Sequence, residues 1–143
     1  MKYLLDTNAI SELVARRPNK DVLIWLDALD PDDVYLSVIT IGEIRKGVEK
    51  LPESSRKDSL RTWLNEDLLD RFSDRILVID IDVMLHWGVL TGRLEQAGVP
   101  LPAMDSMVAA LALIHQCTLV TRTIEHFKDT GVTLINPWTS GTT

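Results

Sequence analysis

Three carboxylates in this chain sit beside short apolar runs, where packing alone gives little reason for an acid. Asp6 follows Lys2-Tyr3-Leu4-Leu5, Glu43 comes soon after Val34-Tyr35-Leu36-Ser37-Val38, and Asp105 lies within Pro102-Ala103-Met104-Asp105-Ser106-Met107-Val108-Ala109-Ala110. Each has a plain alternative role. Asp6, Thr7 and Asn8 are all good N-caps for a following helix. Thr40-Ile41-Gly42-Glu43 fits the capping-box pattern, in which Glu reaches back to the cap backbone. Asp105 is harder to explain that way. It is the sole charged residue between Glu95 and Arg122, taking His115 as neutral, in a segment apolar on nearly all sides. A first-turn carboxylate gains ~0.3–1 kcal/mol from the helix dipole. Burying its charge costs more than that unless a cation or several donors are present. If the three acids converge, they repel and raise each other's pKa. A hard divalent cation removes that repulsion. An all-oxygen donor set suits Mg²⁺ or Mn²⁺ rather than Zn²⁺. Such an ion activates water and neutralises phosphate oxygens in an in-line displacement.

The elements that would position these acids are legible in the apolar pattern. Lys2–Leu5, Val34–Val38, Ile76–Ile79, Thr118–Thr121 and Val132–Ile135 read as strands. They are apolar throughout rather than alternating, as in strands covered on both faces. Helices are predicted over Ala9–Ala15, Asp21–Leu29, a stripe from Ile41 to Leu51 stopped by Pro52, Ser55–Phe72, Val83–Gln96 and from Pro102 to about Gln116. Strand–helix alternation implies right-handed crossovers and a parallel sheet, with the binding crevice beyond the carboxyl ends of the strands. All three acids fall near such ends.

Composition narrows the class. The chain has 143 residues, 45% hydrophobic and 25% charged, with a formal net charge of −6. That fits one soluble domain, 1–143. The single cysteine, Cys117, excludes an internal disulfide framework. The opening residues lack a signal sequence, and no apolar run approaches the ~20 residues of a membrane span, so a cytoplasmic location without membrane contact is expected. The acidic balance disfavours broad electrostatic binding of nucleic acid.

Four segments, taken in order, resemble the PIN-domain ribonucleases, and the VapC/FitB-like branch in particular. They are Leu5-Asp6-Thr7-Asn8; Leu36 to Ile44 with Gly47; Pro102 to Ser106 with Ala109 and Ala110; and Leu119-Val120-Thr121-Arg122 through Phe127, Gly131-Val132 and Ile135-Asn136-Pro137-Trp138. The resemblance spans essentially the whole chain. It implies an α/β PIN-like fold, a five-stranded parallel sheet covered by helices on both faces. It implies Mg²⁺- or Mn²⁺-dependent cleavage of RNA by the toxin of a bacterial toxin–antitoxin pair, a homodimer silenced by a small VapB-like antitoxin. On the matching positions, Asp6, Glu43 and Asp105 would be metal-binding and catalytic. Asn8 would be a polar neighbour of Asp6, and Thr7 and Thr121 would orient the ligands. One position departs from the pattern: Thr123 stands where the family usually has Asp or Asn. Its hydroxyl is a weaker ligand, or simply the N-cap of a short helix over Ile124–Lys128. Glu125 and Asp129 are nearby in sequence as substitutes.

The remaining polar residues have weaker claims. Arg45, Lys46 and Arg122, with Lys50 and the Arg16, Arg17 and Lys20 group, could position an RNA backbone. The alternative is solvated helix surface, with Arg45–Glu49 as an i,i+4 pair. Asp80 and Asp82 read as helix caps, and Asp30, Asp32 and Asp33 as a turn around Pro31. His86, His115 and His126 lack metal-ligand spacing, though His126 falls near the expected rim. Trp25 and Trp63 read as core residues, and Trp138 as packing on the sheet edge. Two rivals to the nuclease reading stand: a weakened PIN domain that only binds RNA or a partner, and a receiver-like phosphoacceptor.

Overall fold

The structure is a computed structural model and describes residues 1–140. Five parallel strands form one sheet in the order β3-β2-β1-β4-β5: β1 (Lys2–Leu5), β2 (Val34–Ser37), β3 (Ile76–Leu77), β4 (Cys117–Val120) and β5 (Leu134–Ile135). Three predicted strands shorten and one shifts. Val38 leaves β2, Val78 and Ile79 leave β3, Val132 and Thr133 precede β5, and β4 takes in Cys117 and leaves out Thr121.

Side-chain alternation along the strands builds a core on each face of the sheet. Leu4, Tyr35, Leu77, Leu119 and Leu134 point into one cluster. Leu5, Leu36, Ile76, Val120 and Ile135 point into the other. The first core is closed by α6 (Ile81–Gln96) and α7 (Ala103–Ile114), which bring Val83, Leu90, Leu94 and the buried run Val108–Ala112. The second is closed by α1 (Thr7–Ile10), α3 (Val38–Glu49) and the helix that starts as α4 (Ser55–Thr62), which bring Ile10, Ile44, Val48, Leu64 and Leu68. Strands buried on both faces explain why their sequences are continuously apolar.

Several helices differ from their sequence-based bounds. Of the predicted Ala9–Ala15 helix only Ala9 and Ile10 are α-helical, in an α1 that starts two residues earlier; a 3₁₀ turn over Ser11–Val14 follows. The second helix, α2, covers Lys20–Asp27. The long helix after Ser54 runs through a π-helical stretch at Trp63–Leu68 into α5 (Leu69–Arg71), keeping Leu64, Leu68 and Phe72 on the core. A final turn, α8, occupies Pro137–Ser140.

The junction between β2 and α3 has no intervening loop. Ser37 ends the strand and caps the helix, its hydroxyl accepting from the Thr40 N–H at 3.1 Å. The expected capping box is therefore displaced. Thr40 is a buried residue inside the helix, and Glu43 is free of any capping role. Asp80 caps α6 by accepting from the Val83 N–H at 2.9 Å, as read from the sequence. Among the described residues, no helix is long and apolar enough to cross a membrane.

Candidate functional site

All strands run in one direction, so their carboxyl ends share one edge, and β1 lies where the strand order reverses. Asp6 is the first residue beyond β1. Its N–H extends the sheet by donating to the Val120 carbonyl at 2.9 Å. Its carboxylate is nearly enclosed, with 9% of the residue exposed. One oxygen accepts from the Thr7 N–H at 2.9 Å, so Asp6 does cap α1. The other accepts from the Thr121 hydroxyl at 2.8 Å, across 115 residues of sequence. Capping thus uses one oxygen, and the second is held from β4.

Thr121 is the hub of this side. Fully buried at the end of β4, it also receives a hydrogen bond from the Asn8 side-chain amide at 3.3 Å. Its hydroxyl lies 3.2 Å from that of Thr123 and accepts from the Thr123 N–H. Thr123 makes no side-chain cap on the 3₁₀ turn Ile124–Phe127. Thr123 does occupy the N-cap position, its carbonyl accepting from the His126 N–H at 3.0 Å, but its hydroxyl turns back toward Thr121 instead of capping. Asn8 accepts from the Arg122 N–H at 3.3 Å, tying β1 to β4 a second time.

Glu43, one turn into α3, reaches the same edge. Its carboxylate accepts from the Thr7 hydroxyl, which also lies 3.1 Å from the Thr40 hydroxyl. Thr7 thus links the Asp6 end of β1 to α3. Asp105 approaches from the first turn of α7. Its side chain is 33% exposed, less enclosed than the apolar sequence around it suggested. The reason is that the buried face of α7 starts at Ser106, which bonds to the Trp87 indole at 2.8 Å and turns Asp105 toward the crevice.

The charges register each other. Burial pushes the Asp6 carboxyl above the ordinary carboxylate range; the Thr121 and Thr7 hydrogen bonds oppose this, and the charges of Glu43 and Asp105 add to it. Asp105 is raised as well, by burial first, with His126 acting in the opposite direction and Glu43 reinforcing the rise. The structure therefore brings Asp6, Glu43 and Asp105 to one crevice. They face one another without closing into a tight cage: among the described residues, no three His, Cys, Asp or Glu side chains stand as a ready-made ligand group. The donor set still fits a hard divalent ion. It is all oxygen, it is rich in negative charge that repels itself, and Mg²⁺ takes only one or two carboxylates directly and keeps several waters.

The other sequence-based candidates divide. Arg45 pairs with Glu49 at 3.2 Å, and Arg61 joins the same cluster, so Arg45 faces away from the crevice. The Arg122 guanidinium lies 5.7 Å from the centre of the Trp138 ring. Lys46 lies on the Glu43 side of α3. Glu125 is exposed and pairs with Lys128 at 3.5 Å, and Asp129 is exposed, so neither replaces the acid absent at Thr123. His126 is nearer to the site than its spacing implied, with Nδ1 3.8 Å from the Asp105 carboxylate. The signal was tertiary: buried Phe127 anchors the turn that carries it.

A parallel sheet with three acids at its carboxyl edge is shared by more than one class of protein, and similarity to known proteins separates them. The PIN domain family profile matches residues 3–131. This chain belongs to the PIN-domain family, which leaves no place for the receiver-like alternative. It is 40% identical over 135 residues to the plasmid stability protein StbB of Pseudomonas syringae, covering 94% of this chain and 97% of that one. It is 38% identical to the toxin FitB of Neisseria gonorrhoeae over the same shares. It is 33% identical to the VapC ribonuclease Y4jK of Sinorhizobium fredii, covering 94% and 96%. The crystal structure of FitAcB from Neisseria gonorrhoeae superposes with a TM-score of 0.92, covering 96% of this chain and 99% of that one at 38% identity.

Proposed function

We propose that this chain is a metal-dependent endoribonuclease and the toxin of a toxin–antitoxin pair, with Asp6, Glu43 and Asp105 as the residues that hold Mg²⁺ or Mn²⁺. The observation that carries the reading is the crevice itself: a buried, doubly hydrogen-bonded Asp6 in electrostatic contact with Glu43 and Asp105 at the carboxyl edge of the sheet. The similarity to proteins named VapC ribonuclease and toxin FitB supports RNA as the substrate and a small antitoxin as the partner.

A bound Mg²⁺ or Mn²⁺ would lower the pKa of a water and neutralise charge on the scissile phosphate. The protein supplies the rest. Thr121 and the Thr7 N–H hold the Asp6 carboxylate in one orientation, so no rotamer freedom is lost when a cation meets it. The Thr7 hydroxyl does the same for Glu43. Burial keeps the local dielectric low on the Asp6 side, which strengthens attraction for a cation. Asp105, open to solvent, stands on the side from which RNA can enter. The exposed apolar stripe of α6, with Ile81 78%, Leu85 67% and Val89 73% exposed, supports self-association into a homodimer.

The test is Asp105→Asn in a purified-RNA cleavage assay with Mg²⁺ or Mn²⁺. Cleavage by the parent and its loss in the variant are expected; a variant that cuts as well as the parent would overturn the assignment. Thr123 motivates the second reading, a PIN domain that binds without cutting. Under that reading RNA is retained by the parent and no ion stimulates turnover.

A further inference from the structure

A groove of about 540 Å³ opens beside Glu43 along α3, lined by Val38, Ile39, Gly42, Glu43, Lys46, Gly47, Lys50 and Met104. We infer that it is the track for the single-stranded RNA flanking the scissile phosphate, with Lys46 and Lys50 gripping successive backbone phosphates. The inference rests on the ribonuclease reading above and goes beyond it by assigning a path and its residues.

Four observations carry it. First, Glu43, Lys46 and Lys50 follow each other at i, i+3 and i+7, one stripe of a helix. At 1.5 Å per residue, Lys46 lies ~4.5 Å and Lys50 ~10.5 Å beyond Glu43 along the axis. The stripe thus begins at the acidic crevice and leads away from it with positive charge. Second, the cations around these two lysines are consumed elsewhere. Arg45 and Arg61 pair with Glu49, Arg61 also meets Glu53 and Asp58, and Lys57 meets Glu53. Among the described residues, Lys46 and Lys50 form no ion pair, and Glu43, the acid nearest to Lys46 in the stripe, is engaged by Thr7. Third, Gly42 and Gly47 lie inside this helix, where each costs up to about 1 kcal/mol relative to Ala. Packing does not require them: a Cβ at either position meets nothing within 4 Å. They leave the α3 backbone bare to the groove. Fourth, Met104 is 56% exposed at the groove wall, next to Asp105 in sequence, and offers an adaptable apolar surface to a base.

An acidic protein segment would also meet two lysines. It would bring further carboxylates toward Glu43 and make no special use of a groove that runs into the cutting site. A phosphodiester strand uses both features, since its backbone must pass from the grip to the acids.

The experiment measures binding separately from cutting. A fluorescein-labelled single-stranded 12-nucleotide RNA is titrated by anisotropy with the full chain and with Lys46→Ala/Lys50→Ala, across a salt series. The double variant should bind at least fivefold more weakly, and its salt slope should fall by about 1.4, two contacts at about 0.7 each for a single strand. Lys46→Arg/Lys50→Arg should restore both. Gly47→Leu should raise the melting temperature while weakening RNA binding, a combination that a merely structural glycine would not give. In cleavage, the double alanine variant should raise KM and leave kcat near the parent value. Unchanged affinity and slope in the alanine variant overturn the track. So does competition by deca-glutamate as effective as that by unlabelled RNA. If the parent binds RNA through this groove but cuts none in Mg²⁺ or Mn²⁺, the ribonuclease reading falls and the track stands. If the parent cuts RNA and the alanine variant has an unchanged KM, the track falls and the ribonuclease reading stands.

Discussion

Asp6 and Asp105 are both aspartates at the same sheet edge, yet the protein holds them differently. Asp6 is almost enclosed, one oxygen fixed by a backbone N–H and the other by a buried hydroxyl that is itself held by Asn8. Asp105 is one-third exposed, and the charged group beside it is His126 at 3.8 Å, beyond hydrogen-bond distance. One side of the crevice is preorganised by the pairing of β1 with β4. The other is a helix turn that can adapt to what enters. Under the proposed function the contrast gives the two acids different work: Asp6 would fix where a cation sits, and Asp105 would meet it from the solvent side.

Removing either carboxylate should have the largest effect. Asp6→Asn and Asp105→Asn should each lower metal-stimulated cleavage by on the order of 10²-fold or more, the scale of deleting a charge-stabilising group. Their stabilities should change as well. The folded pKa of Asp6 lies above its unfolded value because of burial. The folded state then binds the proton more tightly, and stability falls as pH rises through that window. In a chelating buffer at pH 7, Asp6→Asn should therefore melt above the parent, and so should Asp105→Asn, whose carboxyl burial also raises. The gap should close as pH drops below the ordinary carboxylate range. A thermal melt series from pH 3 to 8 checks the sign.

Breaking the rigid side without removing its charge comes next. Thr121→Val keeps the shape but removes the hydroxyl that donates to Asp6. Metal affinity or activity should drop about 10–100-fold, as for other groups that orient a ligand. Thr123→Asp tests the same side in the opposite direction. It places a carboxylate beside Thr121, and calorimetric titration should show Mn²⁺ bound roughly tenfold more tightly. The smallest effect belongs to the open side. His126→Ala should change cleavage by no more than about fivefold, because an exposed pair at that separation contributes at most ~1 kcal/mol.

The sequence made the frame of this molecule readable because burial on both faces leaves an unbroken apolar signature in each strand. The acids stood out where that signature ended. What it concealed was set by junctions and by distant neighbours. Thr40 resembled a cap because a loop was expected after Val38, whereas Ser37 both closes the strand and starts the helix. Thr123 does begin the short turn, but the direction of its hydroxyl was hidden, because Thr121 is close only once the backbone bends at the strand end. The π-helical stretch at Trp63–Leu68 was hidden because Leu60, Leu64 and Leu68 keep helical spacing whether or not an extra residue is accommodated in the turn. His126 was set aside because its approach to Asp105 depends on where Phe127 packs, which no local pattern encodes.

The register of β1 on β4, from Lys2 beside Cys117 to Leu5 beside Val120, also imposes an order in time. Asp6 is made well before the carbonyl and hydroxyl that fix it, which belong to Val120 and Thr121, more than a hundred residues later. Closing so long a loop delays the contact relative to the local helices. Until that strand has been released and paired, Asp6 stands at an open edge with no partner on that side. The crevice therefore forms only once β1 and β4 have both been made and paired. Its own synthesis provides an interval in which an inhibitor can be waiting.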